Sequence, residues 1–168
     1  NADILCLQEY ASDESPRRLT QKDIERELKD YPYHRISVVG SGSGYTNKIA
    51  CYSKFPILSA RVLNYPSGYN GSVLYELKLN EDTITLINNH LESNKLTKAD
   101  KDIYEDILKA PEKEKVKSGA RLLVHKLAEA SAIRAPQADT IAREIASSRY
   151  PSVIVCGDFN DTPISVSY

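Results

Sequence analysis

Short apolar runs separated by turn-forming residues predict strands along most of the chain. Alternation between apolar and polar positions is clearest at residues 83–87, where Ile84 and Leu86 are expected to face inward. Residues 80–82, Asn-Glu-Asp, predict a hairpin turn between two of these runs. The predicted strands cover residues 4–7, 33–39, 48–53, 57–64, 72–79, 83–89 and 152–156.

Two segments follow a helical period instead. In residues 15–30, Thr20 and Asp23 have the spacing of an N-terminal capping box, with Asp in place of the usual Glu or Gln. In residues 122–145 apolar positions recur at helical spacing, and Pro136 is expected to kink or break that helix. Both segments therefore predict helices that connect strands.

The predicted strands fall into consecutive runs, which favours an α+β or layered sandwich fold over a strictly alternating one. We expect one domain over residues 1–168. Residues 95–117 contain seven Lys and six acidic side chains and predict a solvated stretch that is helical in pieces. Residues 40–44, Gly-Ser-Gly-Ser-Gly, predict a flexible loop, and they lack the Gly-Lys-Ser/Thr ending of a phosphate-binding loop.

Composition and charge exclude several classes of protein. The chain has 168 residues, of which 41% are hydrophobic and 27% charged, as in an ordinary globular domain. Its formal net charge of -1 gives no global field that would draw it to nucleic acid or an anionic membrane. No apolar run reaches the roughly 18 residues of a membrane-spanning helix. The chain contains no Met and begins with Asn, so we interpret it as a piece of a longer protein and leave its localisation open.

The cysteine and histidine content argues against zinc. Cys6, Cys51 and Cys156 each lie in an apolar run and are interpreted as buried free thiols, which mildly favours a reducing compartment. His34 and His125 are interpreted as structural residues. Scattered His residues without a cysteine pair do not supply a tetrahedral zinc site.

Three predicted strands end in polar side chains that carry chemistry. The first ends in Glu9, the second in Asn-Asn-His at residues 88–90, and the third in Gly-Asp-Phe-Asn at residues 157–160. When a buried strand ends in charged or amide groups, these groups are either exposed to water or have a function in binding or catalysis. We therefore expect these strand ends to converge on one polar pit at a sheet edge.

The residue types of this pit suit metal-assisted hydrolysis of a phosphate ester. Carboxylates such as Glu9 and Asp158 are ligands for Mg²⁺ or Mn²⁺, ions that keep several waters. Asp158 and Asn160 share one side of an extended chain, so one can orient a water while the other donates its amide to a phosphate oxygen. His90 can carry a proton or donate a hydrogen bond to a non-bridging oxygen.

Each of these residues also has a structural interpretation. Glu9 could be a solvated turn residue, and His90 a structural hydrogen-bonding group. Asp158 and Asn160 could bond their own backbone in an Asx turn.

Five segments, in matching order, resemble those of the endonuclease/exonuclease/phosphatase superfamily with the DNase I-like fold. They are residues 2–9 (ADILCLQE), residues 47–57 (NKIACYSKFPI), residues 88–91 (NNHL), Arg134 with Gln137, and residues 157–163 (GDFNDTP). The resemblance implies a four-layer αββα sandwich and Mg²⁺-dependent phosphoester hydrolysis. It implies that Glu9 binds the metal, that His90 stabilises or protonates around the phosphate, that Asp158 orients the water and that Asn160 holds the phosphate.

The chain also departs from this superfamily. The Asn-bearing strand that precedes the Gln-Glu strand and the C-terminal Ser-Asp-His strand have no counterpart, so the predicted sandwich is incomplete. The long separation of His90 from Arg134 predicts a charged helical insertion over about residues 95–133. Because the Asp-His pair supplies the catalytic base in the family, the alternative is a non-catalytic binding or structural module.

The substrate stays open among DNA, RNA, phosphoinositides, sphingolipids and nucleotides. Residues 90–93, His-Leu-Glu-Ser, resemble the corresponding segment of tyrosyl-DNA phosphodiesterases. A near-zero net charge does not favour a non-specific nuclease, because affinity for a phosphate backbone needs clustered Lys and Arg. The predicted partner is a phosphate-ester substrate, and the oligomeric state is left open.

Overall fold

The first of two sheets is antiparallel throughout. The computed structural model of the chain describes residues 2–12, 19–42, 45–109 and 114–161, which form seven strands and three helices. The strand order of the first sheet is β1-β3-β2. Its strands are β1 (Ile4–Leu7), β2 (Tyr33–Gly42) and β3 (Tyr45–Ser53).

The second sheet ends in a parallel pair of strands. Its order is β4-β5-β6-β7, and β7 runs parallel to β6 while the other neighbours are antiparallel. The carboxyl ends of β6 and β7 therefore lie at the same edge, where His90 is in register with Asp158. The strands are β4 (Ile57–Val62), β5 (Gly71–Leu79), β6 (Asp82–His90) and β7 (Val153–Asp158).

Three helices connect or cover the strands, namely α1 (Gln21–Glu27), α2 (Lys98–Lys109) and α3 (Glu114–Ala146). The predicted capping box is confirmed, because Thr20 and Asp23 exchange both reciprocal hydrogen bonds at the start of α1. The helix is shorter than predicted, and residues 13–18 lie outside the described residues. Most of the charged segment, residues 95–117, lies in the lobe that α2 and the first part of α3 form. That this lobe is an insertion stays a prediction.

The two sheets pack face to face between helices. The inner core consists of alternate residues of β3, β5 and β6, such as Cys51, Tyr75 and Leu86. The opposite face of β3 packs against Ile24 and Leu28 at α1. The opposite face of the second sheet, around Leu74 and Ile87, packs against Ile141 of α3. The order of layers is therefore α1, first sheet, second sheet, α3, which confirms the predicted α+β sandwich.

The structure corrects the prediction of a flexible loop at residues 40–44. Residues 40–42 are the last part of β2, and Gly40 lies so close to Tyr69 that a Cβ would overlap the Tyr69 carbonyl oxygen. The glycine therefore permits a close backbone approach within a strand. Residues 43 and 44 lie outside the described residues.

The helix α3 runs without a break through Pro136. A proline removes one hydrogen bond of the helix, which alone favours a break. Arg134, two residues before the proline, and Gln137, directly after it, are both at most 1% exposed, so packing holds the helix together here. Among the residues that the structure describes, no helix combines the length and apolar character needed to cross a membrane.

Candidate active site

Three strand ends from both sheets meet at one edge of the sandwich, as predicted. Gln8 follows β1, and its Nε2 donates a hydrogen bond of 2.5 Å to Oδ1 of Asn88 near the end of β6. Beside it, the backbone N–H of Leu91 donates to the carbonyl oxygen of Asp158 at the end of β7, at 2.9 Å. Hydrogen bonds thus join the end of β1 to β6 and the end of β6 to that of β7.

His90 is the buried centre of this edge, with 3% of its surface exposed. Its Nε2 lies 3.7 Å from Oε1 of Glu9, and its Nδ1 lies 3.3 Å from Nδ2 of Asn47. The Asn47 amide nitrogen also donates to the carbonyl oxygen of Tyr69 at 3.0 Å. Because an amide nitrogen can only donate, Nδ1 of His90 accepts and the proton of the neutral ring is assigned to Nε2, on the side of Glu9.

Glu9 and Asp158 bring two carboxylates to the open side of the edge. The Glu9 side chain is 77% exposed, and its backbone has a φ of 51°. Asp158 is exposed, and its Oδ1 accepts a hydrogen bond of 2.8 Å from the backbone N–H of Asn160. The Asx turn, which was the structural alternative for Asp158, is therefore present. Its hydrogen bond involves Oδ1 and does not involve Oδ2.

The end of β7 and the loop after it have an unusual backbone that positions Asn160. Gly157 has a φ of 130°, and a Cβ there would overlap the carbonyl oxygen of Asn89. Asn160 has a φ of 51°, in the left-handed region that Asn tolerates better than most residues. Its Nδ2 donates to the carbonyl oxygen of Leu91 at 2.9 Å. One of the two amide protons is thus used by the fold, and the second is the one that could reach a phosphate.

Asn88 and Asn89, which the sequence placed at the strand end, are fully buried. Asn89 Nδ2 donates to the carbonyl oxygen of Cys156 at 3.1 Å, and Ser72 Oγ donates to Asn89 Oδ1 at 2.6 Å. Tyr65 lies 2.6 Å from Ser72 Oγ, and burial raises the pKa of Tyr65 to about 12. These amides therefore join strands rather than face a substrate.

Asn47 and Asn94 are site residues for which sequence reasoning proposed no role. Asn47 contacts His90 from 43 positions earlier in the chain, and no local spacing signals that contact. Asn94 Nδ2 donates to the carbonyl oxygen of Asn160 at 3.1 Å. Nearby, a cavity of about 610 Å³ lies between α3 and the loop after β7, lined among others by Asn94, Leu127 and residues 157–161.

Glu9 and Asp158 are the residues at this edge that could hold a hydrated divalent ion such as Mg²⁺. Within the described ranges, no group of three or more His, Cys, Asp or Glu side chains is arranged to hold a metal ion. Mg²⁺ keeps several waters and is usually bound through one or two carboxylates. Glu9 offers such a carboxylate on the open side of the edge, and Asp158 offers a second nearby on the same edge.

Solved structures with the same architecture cover the whole chain. Sphingomyelinase C from Streptomyces griseocarneus matches with a TM-score of 0.65 and 19% identity, over 100% of this chain and 55% of that chain. SmcL matches with a TM-score of 0.62 and 19% identity, over 100% and 54%. A humanized D. rerio TDP2 matches with a TM-score of 0.55 and 14% identity, over 96% and 50%. The chain thus spans about half the length of these structures, which it resembles in fold.

The sequence profile of the Endonuclease/Exonuclease/phosphatase family matches residues 1–168. No curated protein sequence matches the chain at a significant level. The profile match extends over all five segments whose resemblance was noted above, and the layered fold agrees with it. The chain therefore belongs to the Endonuclease/Exonuclease/phosphatase family.

Proposed function

We propose that the protein hydrolyses phosphate esters with Mg²⁺ or Mn²⁺, at the edge where β1, β6 and β7 end. The observation that carries this proposal is the convergence of Glu9, His90, Asp158 and Asn160 from both sheets. Family membership supports it, because endonucleases, exonucleases and phosphatases all cleave phosphoester bonds. The TDP2 and sphingomyelinase matches are compatible with it, since they share the fold.

In this proposal the two carboxylates have different tasks. Glu9 holds the metal ion through its exposed carboxylate, and the bound ion would neutralise charge on the phosphate. Asp158 orients the attacking water through the carboxylate oxygen that the Asn160 N–H does not occupy. The fixed turn around Asp158 suits this task, because a water is positioned only as well as the group that binds it.

His90 and Asn160 act on the phosphate oxygens. The Nε2–H of His90 donates a hydrogen bond to a non-bridging oxygen, while Asn47 holds the ring from the Nδ1 side. Asn160 donates to a phosphate oxygen the side-chain amide proton that is not bonded to the carbonyl oxygen of Leu91. Both groups are preorganised by bonds to the fold, so they stabilise charge without rearranging.

The test is hydrolysis of bis(4-nitrophenyl) phosphate by the full-length protein with Mg²⁺. We expect Asp158→Asn to lower kcat by about 100-fold or more, the usual loss for a group that manages the nucleophile. Asp82→Asn is the matched control, because Asp82 is an exposed carboxylate at the opposite end of β6.

Equal rates for Asp158→Asn and Asp82→Asn would contradict the role of Asp158. A wild-type protein that binds the ester but releases no 4-nitrophenol would contradict the hydrolase proposal and support the binding-module alternative.

A further inference from the structure

Arg134 is a buried guanidinium whose partners lie on three different segments. Only 1% of its side chain is exposed. Its Nη1 donates to the carbonyl oxygen of Glu92 at 3.0 Å and to Oδ1 of Asn94 at 2.8 Å, both in the segment after β6. Its Nε donates to Oδ2 of Asp161 at 3.0 Å, and its Nη2 donates to Ser131 within α3 at 3.2 Å.

These contacts lead directly to the candidate catalytic loop. Asn94 accepts from Arg134 through its oxygen and donates through its nitrogen to the carbonyl oxygen of Asn160, at 3.1 Å. Asp161, the ion-pair partner of Arg134, is the next residue in the chain. Asn160 is therefore held at its own carbonyl group and at the following residue, and both connections pass through one guanidinium.

The loop has a backbone conformation that its contacts help to hold. Gly157 and Asn160 both have positive φ angles, and Asp158 lies between them. A left-handed residue other than glycine persists only where its surroundings over-determine it. The N–H of Asn160, which donates to Asp158 Oδ1, keeps its direction only while Asn160 stays in this conformation.

Gln137, which lies one turn further along α3, provides an internal comparison. Its Oε1 accepts from the backbone N–H of Glu92 at 3.0 Å, and its Nε2 donates to the carbonyl oxygen of Pro66 at 3.3 Å. Both partners precede the Asp158 loop in the chain. On the same face of α3, Arg134 reaches this loop directly through Asp161 and indirectly through Asn94, which donates to Asn160.

We propose that Arg134 is a positioning residue that fixes the loop of Asp158 and Asn160 in its active geometry. The proposal rests on the hydrolytic function proposed above. A lysine cannot replace this arginine, because the guanidinium directs several donors from a rigid plane while an ammonium is one nitrogen. Arg134→Lys keeps a positive charge in this region. Its single nitrogen cannot keep both the hydrogen bond to Asp161 and the hydrogen bond to Asn94, which come from two different nitrogens of the arginine.

The experiment compares Arg134→Lys with Arg61→Lys in the full-length protein. Arg61 is a more exposed arginine that also bonds to α3, since its two Nη atoms bind the Glu144 carboxylate at 3.1 and 2.6 Å, well away from Asn160 in the chain. Two quantities are measured, namely hydrogen exchange of the Asn160 backbone amide by NMR and the kcat and KM for bis(4-nitrophenyl) phosphate. Exchange does not depend on turnover, so it reports on the loop even where no hydrolysis occurs.

For Arg134→Lys we expect hydrogen exchange of the Asn160 backbone amide to accelerate by about tenfold or more. We expect kcat to fall by about tenfold or more and KM to change by less than threefold. Arg61→Lys should leave both quantities within twofold of wild type. Asn94→Ala removes the connection from Arg134 to Asn160 through Asn94 but keeps the buried Arg134–Asp161 ion pair. We expect it to change the exchange rate and kcat in the same direction as Arg134→Lys. It replaces Arg134→Lys if that variant does not fold.

Wild-type exchange and kcat in Arg134→Lys would overturn the proposal. Equal effects of Arg134→Lys and Arg61→Lys would also overturn it, because they would show a general loss of helix packing. If the wild-type protein hydrolyses no phosphate ester, the function proposed above fails, and the exchange measurement alone decides whether Arg134 orders the loop.

Discussion

Side-chain amides provide much of the bonding inside the candidate site. Asn47, Asn88, Asn89 and Gln137 are all at most 2% exposed, and each bonds to a group on another strand or loop. An amide both donates and accepts, so it can join two segments without the cost of burying a charge. This arrangement keeps the carboxylates of Glu9 and Asp158 at the open side, where an ion and water can reach them.

The three cysteines form one cluster between the sheets and should react slowly. Cys6 is in register with Cys51 on the neighbouring strand. A hydrogen bond with Cys156 lowers the pKa of the Cys6 thiol, but a hydrogen bond with Cys51 and burial outweigh it and raise that pKa to about 12. The hydrogen bond with Cys6, together with burial, raises the pKa of Cys156 as well.

Because the thiolate is the reacting species, we expect alkylation of Cys6 and Cys156 by iodoacetamide at about pH 8 to be roughly 100-fold slower in the folded protein than in denaturant. Mass spectrometry of the labelled peptides measures both rates. Similar rates in the two states would show that these thiols are not held as the structure places them.

Sequence patterns pointed to the candidate chemical residues of the site but not to the residues that support them. Glu9, His90, Asp158 and Asn160 lie at or just after strand ends, so the ends of local apolar runs pointed to them. Their roles remain proposals. Asn47 could not be found as the partner of His90, because a contact across 43 residues depends on how the two sheets pack.

At the scale of whole elements, an ion pair between Asp100 and Lys126 joins α2 to α3. Asp100 is 2% exposed and accepts hydrogen bonds from Lys126 Nζ at 2.8 and 2.7 Å. It also forms a capping box with Thr97 at the start of α2. The Lys126 ammonium, aided by the Thr97 hydrogen bonds, lowers the pKa of Asp100 from 3.8 to about 2.

The lowered pKa of Asp100 in the folded state sets the sign with which the free energy of unfolding depends on pH. The stabilisation is complete above the unfolded pKa of 3.8 and is lost as the pH falls through about 2. We expect Asp100→Asn at about pH 7 to accelerate hydrogen exchange in α2 by tenfold or more. Glu105→Gln is the control, because it removes only an exposed pair with Lys109, which contributes little. Equal protection of α2 in both variants would contradict the importance of Asp100.

Most elements could be predicted because their signals are local. The strands follow apolar runs, the hairpin at residues 80–81 follows its turn residues, and α1 follows its capping box. The exceptions have tertiary causes. Gly40 extends a strand because Tyr69 lies against it, and α3 passes Pro136 because Arg134 and Gln137 anchor it on both sides.

At the scale of the whole molecule, the packing of two sheets creates the site. Neither sheet contains it alone, since Glu9 and Asn47 come from the first sheet and His90 and Asp158 from the second. Several basic side chains are neutralised in ion pairs, including Arg61 with Glu144, Arg149 with Glu76 and Lys126 with Asp100. With a net charge of -1, this pairing leaves the chain without the excess of basic charge on which general affinity for a phosphate backbone depends.

The Mg²⁺ dependence of hydrolysis in a Glu9 variant tests the central claim most directly. Rates of bis(4-nitrophenyl) phosphate hydrolysis are measured against Mg²⁺ concentration for the full-length wild type, Glu9→Gln and Glu81→Gln, whose exposed side chain lies in the β5–β6 turn. We predict that Glu9→Gln raises the Mg²⁺ concentration for half-maximal rate by about tenfold or more, because it removes the charged ligand, and that Glu81→Gln leaves it unchanged. The same Mg²⁺ dependence in all three proteins would contradict a metal-assisted site at Glu9.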